Sequence, residues 1–271
     1  MAQTVLITGS STGIGKATAQ WFHDKGWNVV ATMRSPEKET ELTALDNVLV
    51  TRLDVLDSDS IQAAFAAGIE RFGSIDALVN NAGYGAYGPL EAFPMDAIRR
   101  QFDTNVIGLL EVTKAALPHF RERKTGTIVN ISSIGGKMTF PLGTLYHGTK
   151  FAVEGLSEAL HYELEPIGIR MKIVEPGAIV TDFGGRSFDF RNDESLTEYQ
   201  STVQTLMAAF GAMANGSPAE VVAEVIWNAV TDGTDTLRYT AGEDAREYMA
   251  NRKQFDDATF IGGLKQSLGL S

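Results

Sequence analysis

The sequence predicts an α/β protein built on a doubly wound parallel sheet, and three observations carry that prediction. Short apolar runs alternate with longer segments of helical period along most of the chain. The runs are continuously apolar rather than alternating, as strands covered on both faces are. The first of them opens directly into a glycine-rich turn and a helix start, the order expected of a mononucleotide-binding unit.

Taken in order, the first strand is Val5 to Thr8, and the turn that follows reads Thr8-Gly9-Ser10-Ser11-Thr12-Gly13-Ile14-Gly15. A helical run from Lys16 to Lys25 ends at Gly26. Val29 to Met33 and Val48 to Leu53 are the second and third strands. Ile61, Phe65, Ile69 and Phe72, spaced four, four and three apart, mark one face of a helix that Gly73 closes. Ala77 to Val79, Thr127 to Ile131 and Met171 to Val174 continue the strands. A helical pattern over Pro218 to Thr231 and a turn at Asp232-Gly233 precede a last strand, Leu237 to Thr240. Strand–helix repetition of this kind implies right-handed crossovers. The least regular stretch, Gly177 to Pro218, holds Gly184-Gly185 with Phe183, Phe188, Phe190, Met207, Phe210 and Met213, and predicts a lid over about 178–217. No repeat or linker divides the chain, so 1–271 is expected to form one domain.

Composition narrows the classes of function. The 271 residues are 44% hydrophobic, ample for a buried core. Cysteine is absent, which excludes disulfides, thiolate nucleophiles and zinc–cysteine sites, so redox chemistry needs a borrowed cofactor. A net charge of −11, from 34 acids against 23 bases, argues against nucleic acid as a partner. No apolar run approaches the ~18 residues of a membrane span, and Met1-Ala2-Gln3 leads straight into the first strand without a secretion signal. The expectation is a cytoplasmic protein with no membrane partner. His23, His119 and His161 have no metal-ligand spacing, so no metal is expected.

Gly9, Gly13 and Gly15 allow a tight turn, while the N–H groups and positive dipole end of the next helix attract a pyrophosphate. The spacing Gly-x-x-x-Gly-x-Gly departs from the commoner Gly-x-Gly-x-x-Gly, and position at the end of the first strand is what favours cofactor binding over a plain turn. The second strand ends Ala31-Thr32-Met33-Arg34, where an NAD-binding fold usually places an acid on the adenosine ribose. Arg34 can instead offer its guanidinium to a 2′-phosphate, so NADP(H) is expected over NAD(H), the alternative being a solvated strand-end arginine. Tyr146 and Lys150 stand four apart, on one helix face, with Ser133 thirteen residues upstream. An ammonium beneath a phenol favours its ionised form. The three residues read as a proton-transfer site for carbonyl/alcohol chemistry, and His147 as a helix-packing or surface residue.

These motifs together resemble the short-chain dehydrogenase/reductase family, in its compact single-domain branch. The resemblance runs from Val5 to about Thr181 through the glycine turn, Leu53-Asp54-Val55, Asn80-Asn81-Ala82-Gly83, Asn105, Ser132-Ser133, Tyr146-x-x-x-Lys150 and Pro176-Gly177 followed by Thr181. It implies a Rossmann-type sheet of about seven strands flanked by helices, and a homodimer or homotetramer. The implied cofactor residues are the turn with Ser11, Thr12 and Ile14, then Asp54 and Val55 at the adenine, Asn81, Ala82 and Gly83 along the cofactor, and Pro176, Gly177, Ile179 and Thr181 toward the nicotinamide carboxamide. Lys150 is implied to reach the nicotinamide ribose beside Tyr146. Asn105 is implied to help hold a water that links Lys150 to solvent. Some NADP-dependent members carry a basic residue where this chain has Thr12, so phosphate selection falls to Arg34. Within the family the chain is most similar to reductases of the 17β-hydroxysteroid and retinol dehydrogenase kind.

The resulting expectation is an NADPH-dependent oxidoreductase interconverting a ketone or aldehyde and an alcohol, with Tyr146 as general acid/base. The substrate is expected to be small and moderately apolar, with Met138, Phe140, Leu142 and Leu145 lining its pocket or else packing in the core. Two other readings stand beside it: a reductase of 3-oxoacyl chain intermediates, and a non-catalytic NADP(H) sensor.

Overall fold

The computed structural model describes residues 2–180, 187–212 and 216–270. β1 (Thr4–Ile7) runs through the glycine turn into α1 (Gly13–Asp24), followed by β2 (Asn28–Met33), β3 (Val48–Arg52), α2 (Ser58–Phe72) and β4 (Ala77–Asn80). Short β5 (Gly85–Tyr87), α3 (Met95–Phe102) and a π-helical turn over Asp103–Ile107 lead into α4 (Gly108–Arg123) and β6 (Gly126–Ile131). Next come α5 (Thr144–Leu164), β7 (Ile169–Pro176), β8 (Ile179–Val180), β9 (Phe188–Phe190), α6 (Gln200–Ala212) and β10 (Ser217–Pro218). The chain then passes through α7 (Ala219–Thr231), β11 (Arg238–Ala241), α8 (Glu243–Gln254) and α9 (Asp257–Ser267).

Seven strands pair in parallel in the order β3-β2-β1-β4-β6-β7-β11. Strand order reverses between β1 and β4, the switch point at whose carboxyl edge doubly wound sheets place their ligands. Successive side chains go to opposite faces. Val5, Ile7, Val29 and Val79 join Phe22 of α1 and Val222 and Ile226 of α7 on one face. Leu6, Val30 and Leu78 join Ile61 and Phe65 of α2 and Val112 and Phe120 of α4 on the other. Two covered faces are why these strands read as unbroken apolar runs. Phe22, Trp27 and Trp227 lock the first layer edge to face, with ring centroids 5.1–5.7 Å apart.

Local chemistry sets the element ends. Asp57 caps α2 by accepting the Ser60 N–H at 3.2 Å, and Gly73 ends it at φ +85°. α1 begins at Gly13, three residues before the expected Lys16, because the turn runs straight into the helix. β7 is longer than expected, extending to Ile169 and Pro176 because it pairs with both β6 and β11. The stretch Gly177–Pro218 is more regular than its composition suggests: β8 pairs with β10, β9 with β5, and α6 lies between. Thr181, Phe183, Gly184-Gly185, Met213 and the Phe210 side chain lie outside the described residues. Among the described residues no helix is long and apolar enough to cross a membrane.

Candidate active site

The turn after β1 is built from backbone. Gly9 and Gly13 take φ values of +72° and +54°, which a side chain would strain. A Cβ on Gly15 would lie 2.2 Å from the Gly9 carbonyl oxygen and 2.5 Å from Asn81 Nδ2, so only glycine lets the helix close on the turn. The Asn81 amide donates to the carbonyls of Thr8 and Gly9 at 2.9 and 3.1 Å. In return the Thr8 hydroxyl accepts the N–H groups of Asn81 and Ala82, both at 3.0 Å. Ser10 N–H donates to Thr32 O at 2.9 Å, which ties the turn to the end of β2. No side chain caps α1 and no acid stands in its first turn, so its N–H groups and positive end are left for an anion. Ser11 and Gly83 are exposed here, and Thr12, Gly13, Ile14 and Ala82 half-buried. A pyrophosphate fits this cradle.

Arg34 is exposed beyond β2 and joins no hydrogen bond or ion pair among the described residues. The acid nearest in sequence after it whose side chain is buried, Glu39, is already engaged: its Oε1 accepts the N–H groups of Glu41 and Leu42 at 2.9 and 3.0 Å and pairs with Lys16 at 3.5 Å. Burial works to raise the Glu39 carboxyl, but these bonds and Lys16 hold it below its ordinary value. Asp54, at the end of β3, accepts the Leu56 N–H at 3.1 Å and stays half-buried. Val55 is buried against Gly108, where a Cβ would approach its side chain to 2.8 Å.

Ser133 stands two residues beyond the end of β6, and α5 carries Tyr146 and Lys150 back toward it. The Ser133 hydroxyl accepts the Gly135 N–H at 3.0 Å, lies 3.4 Å from the Pro176 carbonyl and stands beside the Tyr146 phenol. Burial pushes the Tyr146 phenol up to about 12, with the Ser133 bond working against it. Lys150 Nζ sits 5.6 Å from the Tyr146 ring centroid and donates to Ile131 O at 2.9 Å. Burial brings its ammonium down to about 8, opposed by Glu154. Desolvation dominates at the phenol, while the ammonium lies over the ring with a hydrogen bond spent on Ile131.

Asn105 sits on the π-helical turn, a local rearrangement frequent at functional sites. Its Nδ2 donates to Tyr84 O at 2.8 Å and Thr149 Oγ1 at 3.1 Å, and its Oδ1 accepts the Tyr84 N–H at 3.1 Å. The side chain thus joins the segment after β4 to α5. His147 is a packing residue, only 2% exposed. Its Nδ1 lies 2.9 Å from Gly135 O while Nε2 accepts the Phe140 N–H at 3.0 Å, which holds a neutral ring across the 134–143 segment. Burial pushes it down to about 4. Opposite, β5 brings the Tyr87 ring to 5.5 Å from Tyr146, and β9 sets Phe188 5.4 Å from Tyr87. Two expected pocket residues are core instead: Met138 packs with Ile134, Ala245 and Met249, and Leu145 with Ala86, Phe93 and Ala97. Phe140 packs against the first of these clusters, and Leu142 takes φ +60° while its carbonyl accepts the Gly88 N–H.

At the end of β7 Pro176 is buried, and beyond it Gly177 leaves room for Asp244, whose Oδ2 accepts the Ala178 N–H at 2.7 Å. Ile179 is half-buried and packs on the α1/α7 layer. The glycine turn, Asn81, Ser133, Tyr146, Lys150 and Gly177 therefore share the carboxyl edge of the sheet. His147 is the packing residue that the sequence allowed, whereas Asp244 was not found there, since it reaches Ala178 from 66 residues along the chain.

A family model described as short chain dehydrogenase matches residues 3–192. The chain belongs to the short-chain dehydrogenase family. This short-chain dehydrogenase is 46% identical over 239 residues to an uncharacterized oxidoreductase of Schizosaccharomyces pombe, covering 88% of this chain and 100% of that one. It is 40% identical over 193 residues to human retinol dehydrogenase 8, covering 68% of this chain and 61% of that protein. Among solved structures, a short-chain dehydrogenase from Streptomyces avermitilis matches with a TM-score of 0.82 at 32% identity over 100% of both chains. A structure described as ElxO with NADP bound matches with a TM-score of 0.75 at 28% identity, covering 91% of this chain and 100% of that one. The protein is an oxidoreductase of that family.

Proposed function

We propose that this short-chain dehydrogenase reduces a ketone or aldehyde to an alcohol with NADPH, and runs the reverse reaction over the same groups. The observation that carries the reading is the buried Tyr146 phenol beside Ser133 with the Lys150 ammonium 5.6 Å from the ring centroid. Bound NADPH supplies the hydride for the carbonyl carbon. Tyr146 keeps its proton at neutral pH, because burial holds the phenol at about 12, and delivers it to the substrate oxygen. Ser133 orients that oxygen and offers a hydroxyl to the charge developing on it. Lys150, with its ammonium at about 8, remains charged at pH 7 and balances the phenolate that proton transfer leaves. Asn105 anchors the α5 side of this site through Thr149.

The cofactor's pyrophosphate is assigned to the cradle of Gly9, Ser11, Thr12, Gly13, Ile14 and Gly15, and its 2′-phosphate to Arg34. Asp54 and Val55 take the adenine end, Asn81, Ala82 and Gly83 the middle, and Pro176, Gly177, Ile179 and Thr181 the carboxamide end. Preference for NADP(H) over NAD(H) is supported by an exposed Arg34 without an acid partner among the described residues and by the NADP-bound structural neighbour. Tyr87 beside Tyr146, with Phe188 against Tyr87 and Phe190 against Phe188, favours a moderately apolar substrate beneath a lid of about 178–217, in a cytoplasmic, single-domain homodimer or homotetramer. A panel of ketones and alcohols, followed by nicotinamide absorbance with both cofactors, tests the reading. NADPH-dependent reduction of apolar ketones is expected; cofactor binding without turnover across the panel would leave a sensor in its place.

A further inference from the structure

One helical turn beyond Lys150, α5 carries Glu154 at 4% exposure, and β7 carries Glu175 at 1%. Buried carboxylates need compensation, and here a single guanidinium is divided among several. Arg238 Nε, at the start of β11, is 2.9 Å from Glu154 Oε2 and 3.7 Å from Glu175 Oε1, while its Nη2 is 2.5 Å from Glu158 Oε2. Thr240 Oγ1 lies 3.4 Å from Glu175 Oε2. Glu154 Oε1 and Glu175 Oε1 are both buried without a hydrogen-bond partner. Gly136 makes the arrangement possible, because a Cβ there would lie 2.9 Å from Glu154 Cγ.

Two buried acids, two orphaned oxygens and one divided guanidinium leave the cluster short of a proton donor. We propose that Glu154 and Glu175 hold one proton between them, and that Glu154 is a positioning residue that sustains the charge of Lys150. The proposal rests on the reading that Lys150 serves Tyr146. The charged and titratable groups facing the pair are Lys150 and Glu158 on α5, Arg238 on β11 and Lys137 on the segment after β6. Burial, then the charge of Glu154, pushes Glu175 up to about 7 against Arg238, Lys137 and Thr240, so Glu175 is the member that carries the proton. Burial lowers Lys150 and Glu154 opposes it, so the second acid's charge supports the first base.

The test is carbon NMR titration of the full chain with labelled Glu carboxyl and Lys ε-carbons, in wild type, Glu175→Gln, Glu154→Gln and Glu154→Asp. The Lys150 signal is assigned by its loss in Lys150→Arg. Wild type is expected to show a carboxyl titrating near pH 7 that disappears in Glu175→Gln, glutamine having the shape of the protonated acid. In Glu154→Gln the Lys150 titration should move down by about one unit, the scale set by loss of a nearby opposite charge, and Glu154→Asp should restore most of it. No carboxyl titrating above about pH 6, the range beyond an ordinary glutamate, overturns the shared proton. An unmoved Lys150 in Glu154→Gln overturns the positioning role, and if that variant does not fold, the Glu175→Gln spectrum still decides the shared proton. Absence of ketone reduction would defeat the reading of Lys150 and leave both titrations standing.

Discussion

Adding one carbon at Gly15 puts it 2.2 Å from a carbonyl oxygen, whereas removing one oxygen at Tyr146 leaves the ring's packing against Tyr87 in place. The cradle after β1 is held by main-chain bonds, by Asn81 and by the Thr8 hydroxyl, and nothing from Thr8 to Gly15 titrates. The site on α5 is the reverse case: a phenol at about 12, an ammonium at about 8 and an imidazole at about 4, each displaced chiefly by burial. Shape governs the first region and desolvation the second. The two should therefore fail in different ways when the chain is altered.

The largest expected effect is on the α5 side and depends on pH. His147 has a folded value of about 4 against an ordinary 6.5, so the unfolded chain binds more protons between those limits. Stability contributed by the neutral ring is full above pH ~6.5 and is lost as pH falls toward 4, by about 3 kcal/mol at 1.36 kcal/mol per unit. Denaturant unfolding of wild type and His147→Asn should show wild type losing that much more over the window; parallel curves would break the contrast. Glu175 acts oppositely, since its raised value of about 7 gives stability that is present below 4.5 and lost as pH rises through 7.

A smaller effect, with no pH dependence of its own, is expected in the cradle. Gly15→Ala should cost about 2 kcal/mol through overpacking and weaken NADPH binding at least tenfold, read by unfolding and by cofactor titration. Unchanged binding would remove the cradle from the cofactor site. The smallest is Arg34→Ala, a roughly tenfold loss of kcat/KM for NADPH with NADH little affected, in keeping with about 1.5–3 kcal/mol for a hydrogen bond to a charged group partly screened at an exposed position. An unaltered cofactor ratio would leave Arg34 as a solvated strand end.

The same contrast explains what was legible in the sequence. Strands buried on both faces leave continuous apolar runs, so all seven were placed to within a few residues, and the glycines marked the cradle because only a missing side chain permits its approach. Ser133, Tyr146 and Lys150 were singled out by spacing along one helix and from the end of the strand before it. Their tuning was not. Glu154 and Glu175 meet through Arg238, 84 residues after Glu154, and His147 acts through Gly135 and Phe140; neither pairing leaves a local period. Pocket lining failed for a related reason, since Met138 and Leu145 face α8 and α3, whose positions the local pattern does not specify.

Tyr146 is proposed as the proton donor of a cofactor-bearing site. Turnover and NADPH affinity measured together in Tyr146→Phe test it most directly, because that substitution keeps the ring and removes the proton. Turnover should fall by about 10²–10⁴, the usual contribution of general acid catalysis, with NADPH affinity within a few-fold of wild type. Near wild-type turnover in a folded, NADPH-binding variant would contradict the account.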